Sequence, residues 1–376
     1  MNSRADGPVL DRRTLNRTLL ARQWLSRRSD GTPADVLRHL VGLQAQSPSA
    51  PYVGVATRLN TFAHADLANT LADRSTARLV NLRGTIHWSL SQDAVDLRTW
   101  VQVGLERGLA TTWGSQLAGV DLRAVATAAE DAIGAGSIGV DKLGKTLAAT
   151  WPDVAPAVLA SAARVVLPLV QVPPRAVWGR SGSTTYAHAR SWLPMQAPGT
   201  DPRLVAPSLV RRYLRAFGPA SVRDVQAWSG LTRLREVVED LEPDLRHYRD
   251  ESGTDLVDLA ELGLADGAEP LPPLFVAPFD NVILSHADRR RIISDESRRA
   301  IATKNGLIPG TVLIDGFVAA TWQVDATSKE VALVTVRPFR RLAKRTVSSL
   351  TRPGQRIGGI VVDTALTCRV TVEQPD

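Results

Sequence analysis

The sequence predicts an α+β protein: three tandem winged-helix domains followed by a C-terminal β-rich, barrel-like domain. Three observations predict it. The first is size: 376 residues, 44% hydrophobic and 22% charged, with mean hydropathy near zero, suffice at ~100–200 residues per domain for several units, each with its own core. The second is a segment between two proline-rich breaks, 194–207 and 270–278, that reads as three short helices and a hairpin. The third is a change beyond Pro278 to short runs of strand type.

The elements follow in order. Residues 12–26 predict a basic helix, and 34–46 a second with Val36, Leu37, Leu40 and Val41 as its inward stripe. Helices at 48–59 and 64–73 come next, then a hairpin of 77–82 and 85–90 turning at Arg83-Gly84, which completes a first unit over 1–92. The second unit, 93–193, opens on a long helix at 93–112. Helices at 122–133, 140–150 and 155–169 and strands at 171–177 and 184–189 complete it. The third, 205–262, is the clearest. Leu209, Val210, Tyr213, Leu214 and Phe217 share one helical face ahead of Gly218-Pro219. Ser221 and Asp224 have capping-box spacing before Val222, Val225 and Trp228, and Gly230 closes that helix. Thr232 then opens a helix with Leu234, Val237, Val238 and Leu241 inward, and alternating runs at 245–249 and 255–259 form the hairpin. The last domain, 270–376, predicts strands at 312–314, 317–324, 331–336, 357–362 and 368–372.

Composition narrows the function. Lys plus Arg total 45 against 38 for Asp plus Glu, giving +7 and a pI near 10. Only five of those cations are lysines, so the surplus is arginine, which suits bidentate contact with phosphate and base edges, although a GC-rich coding bias leaves the same mark. No apolar run approaches the ~20 residues of a membrane span, and the Arg-rich N-terminus lacks the apolar core of a signal peptide. A cytoplasmic, nucleoid-associated protein without membrane contact is expected. One cysteine, Cys368, excludes a disulfide framework and any multi-cysteine zinc site, and the six histidines show no His-Glu-x-x-His spacing. No metal or cofactor is expected. Gly134, Gly136 and Gly139 match G-x-G-x-x-G but follow a helix rather than a strand, so they read as a loop. There is no phosphate-loop motif and no G-x-S-x-G.

The informative motif is Gln44-Ala45-Gln46. Gln44 lies four residues after Leu40, where the apolar stripe of its helix would continue, and Pro48 would end that helix onto a loop. The structural alternative is that both amides cap free carbonyls at a helix end.

The motif stands in an ordered series with Arg83-Gly84-Thr85-Ile86-His87, Phe217-Gly218-Pro219-Ala220-Ser221 with Trp228-Ser229-Gly230-Leu231, Pro278-Phe279-Asp280-Asn281 leading to Asp288-Arg289, and Leu313-Ile314-Asp315-Gly316-Phe317-Val318. In that series the sequence resembles AlkZ-type DNA glycosylases, the winged-helix family that also contains YcaQ, over roughly residues 12–372. The resemblance implies three tandem winged helices and a β domain curved around duplex DNA. It also implies Gln44 and Gln46 as catalytic residues acting on N-glycosidic bonds of alkylated bases. Family members from antibiotic producers remove bulky or cross-linked purines, which implies roles in DNA repair or genotoxin self-resistance. The YcaQ-like branch, with Asp at the second motif position, fits less well.

These residue types suit that chemistry. A neutral nucleoside needs an acid to activate the base and a carboxylate to stabilise the oxocarbenium ion. A purine alkylated at N7 or N3 already carries positive charge and leaves unprotonated. What remains is to hold a water against the anomeric carbon, which two neutral amides can do. The absence of a lysine near the motif in sequence predicts a water nucleophile.

Candidate DNA-binding residues are Arg83, His87, Asn281, Arg289, Arg290 and Arg291, with Arg352 and Arg356 in a turn at 351–356 suited to a minor groove. That turn lies within 331–362, a segment without a single acid. The partner is duplex DNA carrying alkylated purines, and the lack of a heptad seam predicts a monomer. Two rivals remain open: a non-catalytic winged-helix regulator or damage sensor, which would dimerise over half-sites, and an RNA-binding protein, which rests on charge alone.

Overall fold

A computed structural model describes residues 7–194, 201–302, 306–327, 330–362 and 367–375; the stretch 195–200 of the first proline-rich break lies outside them. The fold is mixed α+β with three sheets.

In the N-terminal half, helices Arg12–Arg22, Pro33–Leu40, Ala50–Ala56 and His64–Ala72 precede the hairpin Thr76–Val80/Ile86–Leu90. Helix Ser91–Trp113 leads to Leu122–Ile133, Val140–Ala148 and Pro156–Val166, then to strands Leu169–Gln171 and Thr185–His188. The two hairpins do not stay separate. Leu79 pairs with Val170 and joins them into one six-stranded sheet, with Leu43–Gln44 at one edge and Ile138–Gly139 at the other. The third set, helices Pro202–Phe217, Val222–Ser229 and Arg235–Glu239 with hairpin Leu245–Asp250/Asp255–Leu259, follows the expected order. Its Ser221–Asp224 capping box forms as the spacing predicts. Strand Val9–Leu10 pairs in parallel with Leu245–Asp250, so the chain's N-terminal strand completes that distant hairpin's sheet.

The C-terminal sheet corrects two expectations. Its order is Leu274–Val276, Gly310–Ile314, Phe317–Asp325, Val331–Pro338, Thr367–Val372, and its two outer strands do not pair, so no barrel closes among the described residues. The expected strand 357–362 and turn 351–356 form one helix, Thr351–Val362, packed on the parallel pair Val331–Pro338/Thr367–Val372. The β-branched run Ile360-Val361-Val362 suggested a strand. Tertiary packing overrides it, because a parallel pair needs a crossover and Gly354, Ile357 and Gly358 fall on one helical face.

Much of the arginine surplus is internal. Arg17, Arg58, Arg78, Arg98 and Arg291 are buried. Several tie distant segments together: Arg58 to Asp280, Arg22 to Asp258, Arg212 to Asp93 and Arg17 to Asp315.

Candidate active site

The second helix is shorter than the periodicity predicts. Pro33–Leu40 ends at Val41, which adopts left-handed φ 57°, and Gly42 follows at φ 95°. A Cβ on Gly42 would meet Ser89 Cβ at 2.9 Å and the Trp88 carbonyl at 3.0 Å, so only glycine fits this turn. The chain then enters the sheet as strand Leu43–Gln44, pairing Leu43 with Trp88 and Gln44 with His87. Gln44 therefore ends an edge strand, with Ala45 and Gln46 in the loop just beyond it, and the motif does not sit at a helix end. A β-branched residue in the left-handed region is costly, and this strain sits three residues before Gln44.

Arg83 organises the motif. It occupies the expected hairpin turn at φ 57°, where Gly230 approaches so closely that a Cβ would stand 2.9 Å from Arg83 Cα. Arg83 Nη1 donates to the Trp228 carbonyl at 2.8 Å, and Nη2 donates to Gln44 Oε1 at 3.0 Å and meets His87 Nε2 at 3.3 Å. Gln44 is buried, with its acceptor oxygen already engaged. Gln46 is exposed, and among the described residues its side chain makes one hydrogen bond, a long 3.4 Å contact in which the Ile86 N–H donates to Oε1. Between them the Ala45 N–H donates to the Ile86 carbonyl at 2.7 Å. Arg78, which sequence analysis does not single out, donates to the Ala45 carbonyl at 2.9 Å.

The electrostatics lack any acid. No carboxylate hydrogen-bonds or ion-pairs with Gln44, Gln46, Arg78, Arg83 or His87 among the described residues. Burial, with Arg289 nearby, pulls Arg83 down to about 10. Burial and the adjacent Arg83 hold His87 down at about 3, and its Nδ1 shares a 3.1 Å contact with the Thr85 carbonyl. His87 is neutral at pH 7 and supplies no proton to a leaving base. A cavity of about 600 Å³ opens beside Arg83, lined by Asn81, Gly108, Trp113 and Arg164.

Other candidates fall outside this cluster or inside the scaffold. Asn281 is 1% exposed and donates to the Gly42 carbonyl at 2.8 Å, so it braces the turn ahead of the motif and does not face a ligand. His87 is likewise buried beneath the site. Arg291 is buried, donating to the Pro219 carbonyl at 2.7 Å, and Arg289 bonds the His286 carbonyl at 3.3 Å. Arg290 is exposed and paired with Asp288 at 2.6 Å. Arg356 is half-buried in its helix, with Nη2 donating to the Ala56 and Leu59 carbonyls, which leaves Arg352 as the exposed member of that pair. The acid-free segment finds its acids elsewhere: Arg337 pairs with Glu373, and Arg340 with Glu296.

A family model described as DNA glycosylase AlkZ-like matches residues 37–360, a span that contains the motif, the hairpin and the Asp280–Asn281 brace. The chain belongs to the AlkZ-like DNA glycosylases. It is accordingly an enzyme of the N-glycosyl hydrolase type. A curated relative, the interstrand DNA cross-link repair glycosylase of Streptomyces sahachiroi, is 24% identical over 369 residues, covering 91% of this chain and 95% of the relative. The solved structure of Streptomyces sahachiroi DNA glycosylase AlkZ matches with a TM-score of 0.78 at 20% identity, covering 96% of this chain and 100% of that one. This AlkZ-like chain thus shares that overall fold. Among the described residues no helix is long and apolar enough to cross a membrane.

Proposed function

We propose that this glycosylase hydrolyses the N-glycosidic bond of N7- or N3-alkylated purines in duplex DNA, bulky adducts and interstrand cross-links included, with Gln44 and Gln46 as the catalytic pair. The observation that carries the reading is the pair's acid-free setting, two amides braced by two arginines. Among the described residues such a site has no carboxylic acid to protonate a neutral base, whereas a cationic purine needs none. Gln46 Oε1 accepts a hydrogen bond from the attacking water and orients its lone pair toward the anomeric carbon; as the C–N bond breaks and the base leaves with the bonding electron pair, the new C–O bond forms and the water's proton is released to solvent. Gln44, its oxygen fixed by Arg83, presents Nε2 as a donor that holds the same water or the sugar. The amide dipoles replace bulk water around the developing oxocarbenium ion. The relative's name as an interstrand cross-link repair glycosylase supports cross-links among the lesions and a role in DNA repair; a role in genotoxin self-resistance is part of the proposal.

Three winged-helix units, two of them fused through the six-stranded sheet, grip the duplex as a monomer. The test is incubation with a duplex carrying one N7-alkylguanine, then alkali. An intact abasic strand that alkali cleaves is expected, with no adduct trapped by borohydride, because water and not an amine attacks. A trapped adduct, or no alkali-labile site, contradicts the reading.

Grip on undamaged duplex is electrostatic. Arg341, Lys344, Arg345 and Arg352 are exposed and make no ion pair among the described residues. Log affinity is expected to fall by ~0.9 per neutralised phosphate with log salt, and Arg352→Ala to lower that slope by ~1. Arg356→Ala should instead lower the melting temperature, since its guanidinium serves the carbonyls of Ala56 and Leu59. Salt titrations beside thermal melts check both, and an unchanged slope for Arg352→Ala removes it from the interface.

A further inference from the structure

Arg78 lies on strand Thr76–Val80, all five residues of which are buried. It is 1% exposed, and its neighbouring charges and phenols are Arg175, Tyr52 and Tyr186, none a carboxylate. Burial pulls its guanidinium down to about 10. Its hydrogen bond to the Ala45 carbonyl at 2.9 Å has no companion among the described residues, where Nε and Nη1 are buried without partners. A buried cation with one hydrogen bond is a costly way to fill a core position, and Leu or Met would occupy the space without that penalty. Core filling therefore does not account for this arginine.

What Arg78 does that an apolar side chain does not is hold Ala45. That residue separates the two glutamines and is fully buried. Strand Leu43–Gln44 is two residues long, and beyond it the Ala45 N–H is the last backbone link to the neighbouring strand. The Ala45 carbonyl is taken by Arg78, whose guanidinium also lies 5.9 Å from the ring of Trp88, the register partner of both Arg78 and Leu43. Gln44 has its own clamp in Arg83. Gln46, with one 3.4 Å contact, depends on the backbone behind it.

We propose that Arg78 is a positioning residue for hydrolysis: its bond to the Ala45 carbonyl fixes the spacing of Gln44 and Gln46 and with it the seat of the attacking water. This rests on the glutamine reading above. A displacement of about 1 Å at a reacting centre costs on the order of a hundredfold in rate.

The experiment compares Arg78→Met and Arg78→Lys with the unaltered protein in single-turnover excision of N7-methylguanine, affinity for the same duplex, and amide hydrogen exchange. Arg78→Met is expected to slow excision by ~10–100-fold while affinity stays within about threefold. Exchange should quicken in residues 43–48 and not in the hairpin 245–259. Lysine, which can donate to the same carbonyl, should recover part of the rate. A purely electrostatic role has the opposite sign, since removing a cation beside an oxocarbenium-like centre speeds its formation. An unchanged or faster rate in folded Arg78→Met overturns the proposal. If that variant does not fold, Arg78→Leu and Arg78→Val, equally unable to donate to the Ala45 carbonyl, take its place, and a wild-type rate in a folded one overturns the proposal equally. The double variant Gln44→Ala/Gln46→Ala separates the two failures. Full activity there ends the glutamine reading, whereas full activity in the Arg78 variants alone ends only this inference.

Discussion

Asp280→Ala is expected to destabilise the fold by ~3–5 kcal/mol, among the largest effects of any single substitution outside the chemistry. Asp280 and Arg58 form a bidentate pair with both bonds at 2.8 Å and both side chains fully buried. Arg58 also donates to the Gly54 carbonyl and to Gln23 Oε1. Removing the carboxylate leaves a guanidinium uncompensated in the interior and removes the cap that Asp280 provides to Val282 N–H. Replacing both partners, Arg58→Met with Asp280→Leu, should cost less than the single change, because no buried charge is then stranded. Denaturant unfolding of the three proteins checks this, and a single variant within ~1 kcal/mol of the parent contradicts it. The adjacent Asn281 braces Gly42, so the Asp280-Asn281 pair supports the site through the scaffold.

Gln44→Ala and Gln46→Ala are each expected to slow excision about a hundredfold, ~3 kcal/mol, the usual consequence of removing one well-placed polar group from a transition state. The double variant should lose less than the sum, because both amides address one water. Their side effects differ in a way the geometry dictates. Gln46 is exposed with one weak contact, so Gln46→Ala should leave the melting temperature within ~1 kcal/mol of stability. Gln44→Ala strips Arg83 of an acceptor in a half-buried setting and should cost ~1–3 kcal/mol. Gln46→Asp should retain part of the rate on a cationic lesion, since a carboxylate is the stronger base. Single-turnover rates beside thermal melts check these outcomes, and unchanged excision per folded molecule in the double variant contradicts the catalytic assignment.

The local grammar of the fold was legible in the sequence because it rests on short-range physics. The Arg83-Gly84 turn, the Ser221–Asp224 box and the helix Leu122–Ile133 all follow from periodicity, capping and turn chemistry. The glutamines were legible as residues but not in their setting. Val41, a β-branched residue, gave no sign that it would take the left-handed conformation ending the helix, so the apolar stripe ran on falsely to Gln44. Charge was the least legible quantity. Arginines of the surplus that suits phosphate contact face carbonyls and buried carboxylates from segments 72 to 300 residues away, contacts that no local pattern encodes. Arg78 leaves a trace, as the one charged residue of strand Thr76–Val80, followed directly by Leu79 and Val80. Helix Thr351–Val362 is not legible from local pattern, because the need for a crossover between parallel strands appears only once the sheet is known.

The central claim is that the leaving base brings its own positive charge and the amide pair supplies only a positioned water. Its most direct test is single-turnover excision of two lesions of matched shape in one duplex context: 7-methylguanine, which is cationic, and 7-methyl-7-deazaguanine, which is neutral. The account predicts excision of the first, no detectable excision of the second, and comparable affinity for both duplexes. Excision of the neutral base at a similar rate would show that the site protonates its leaving group, and would contradict the account.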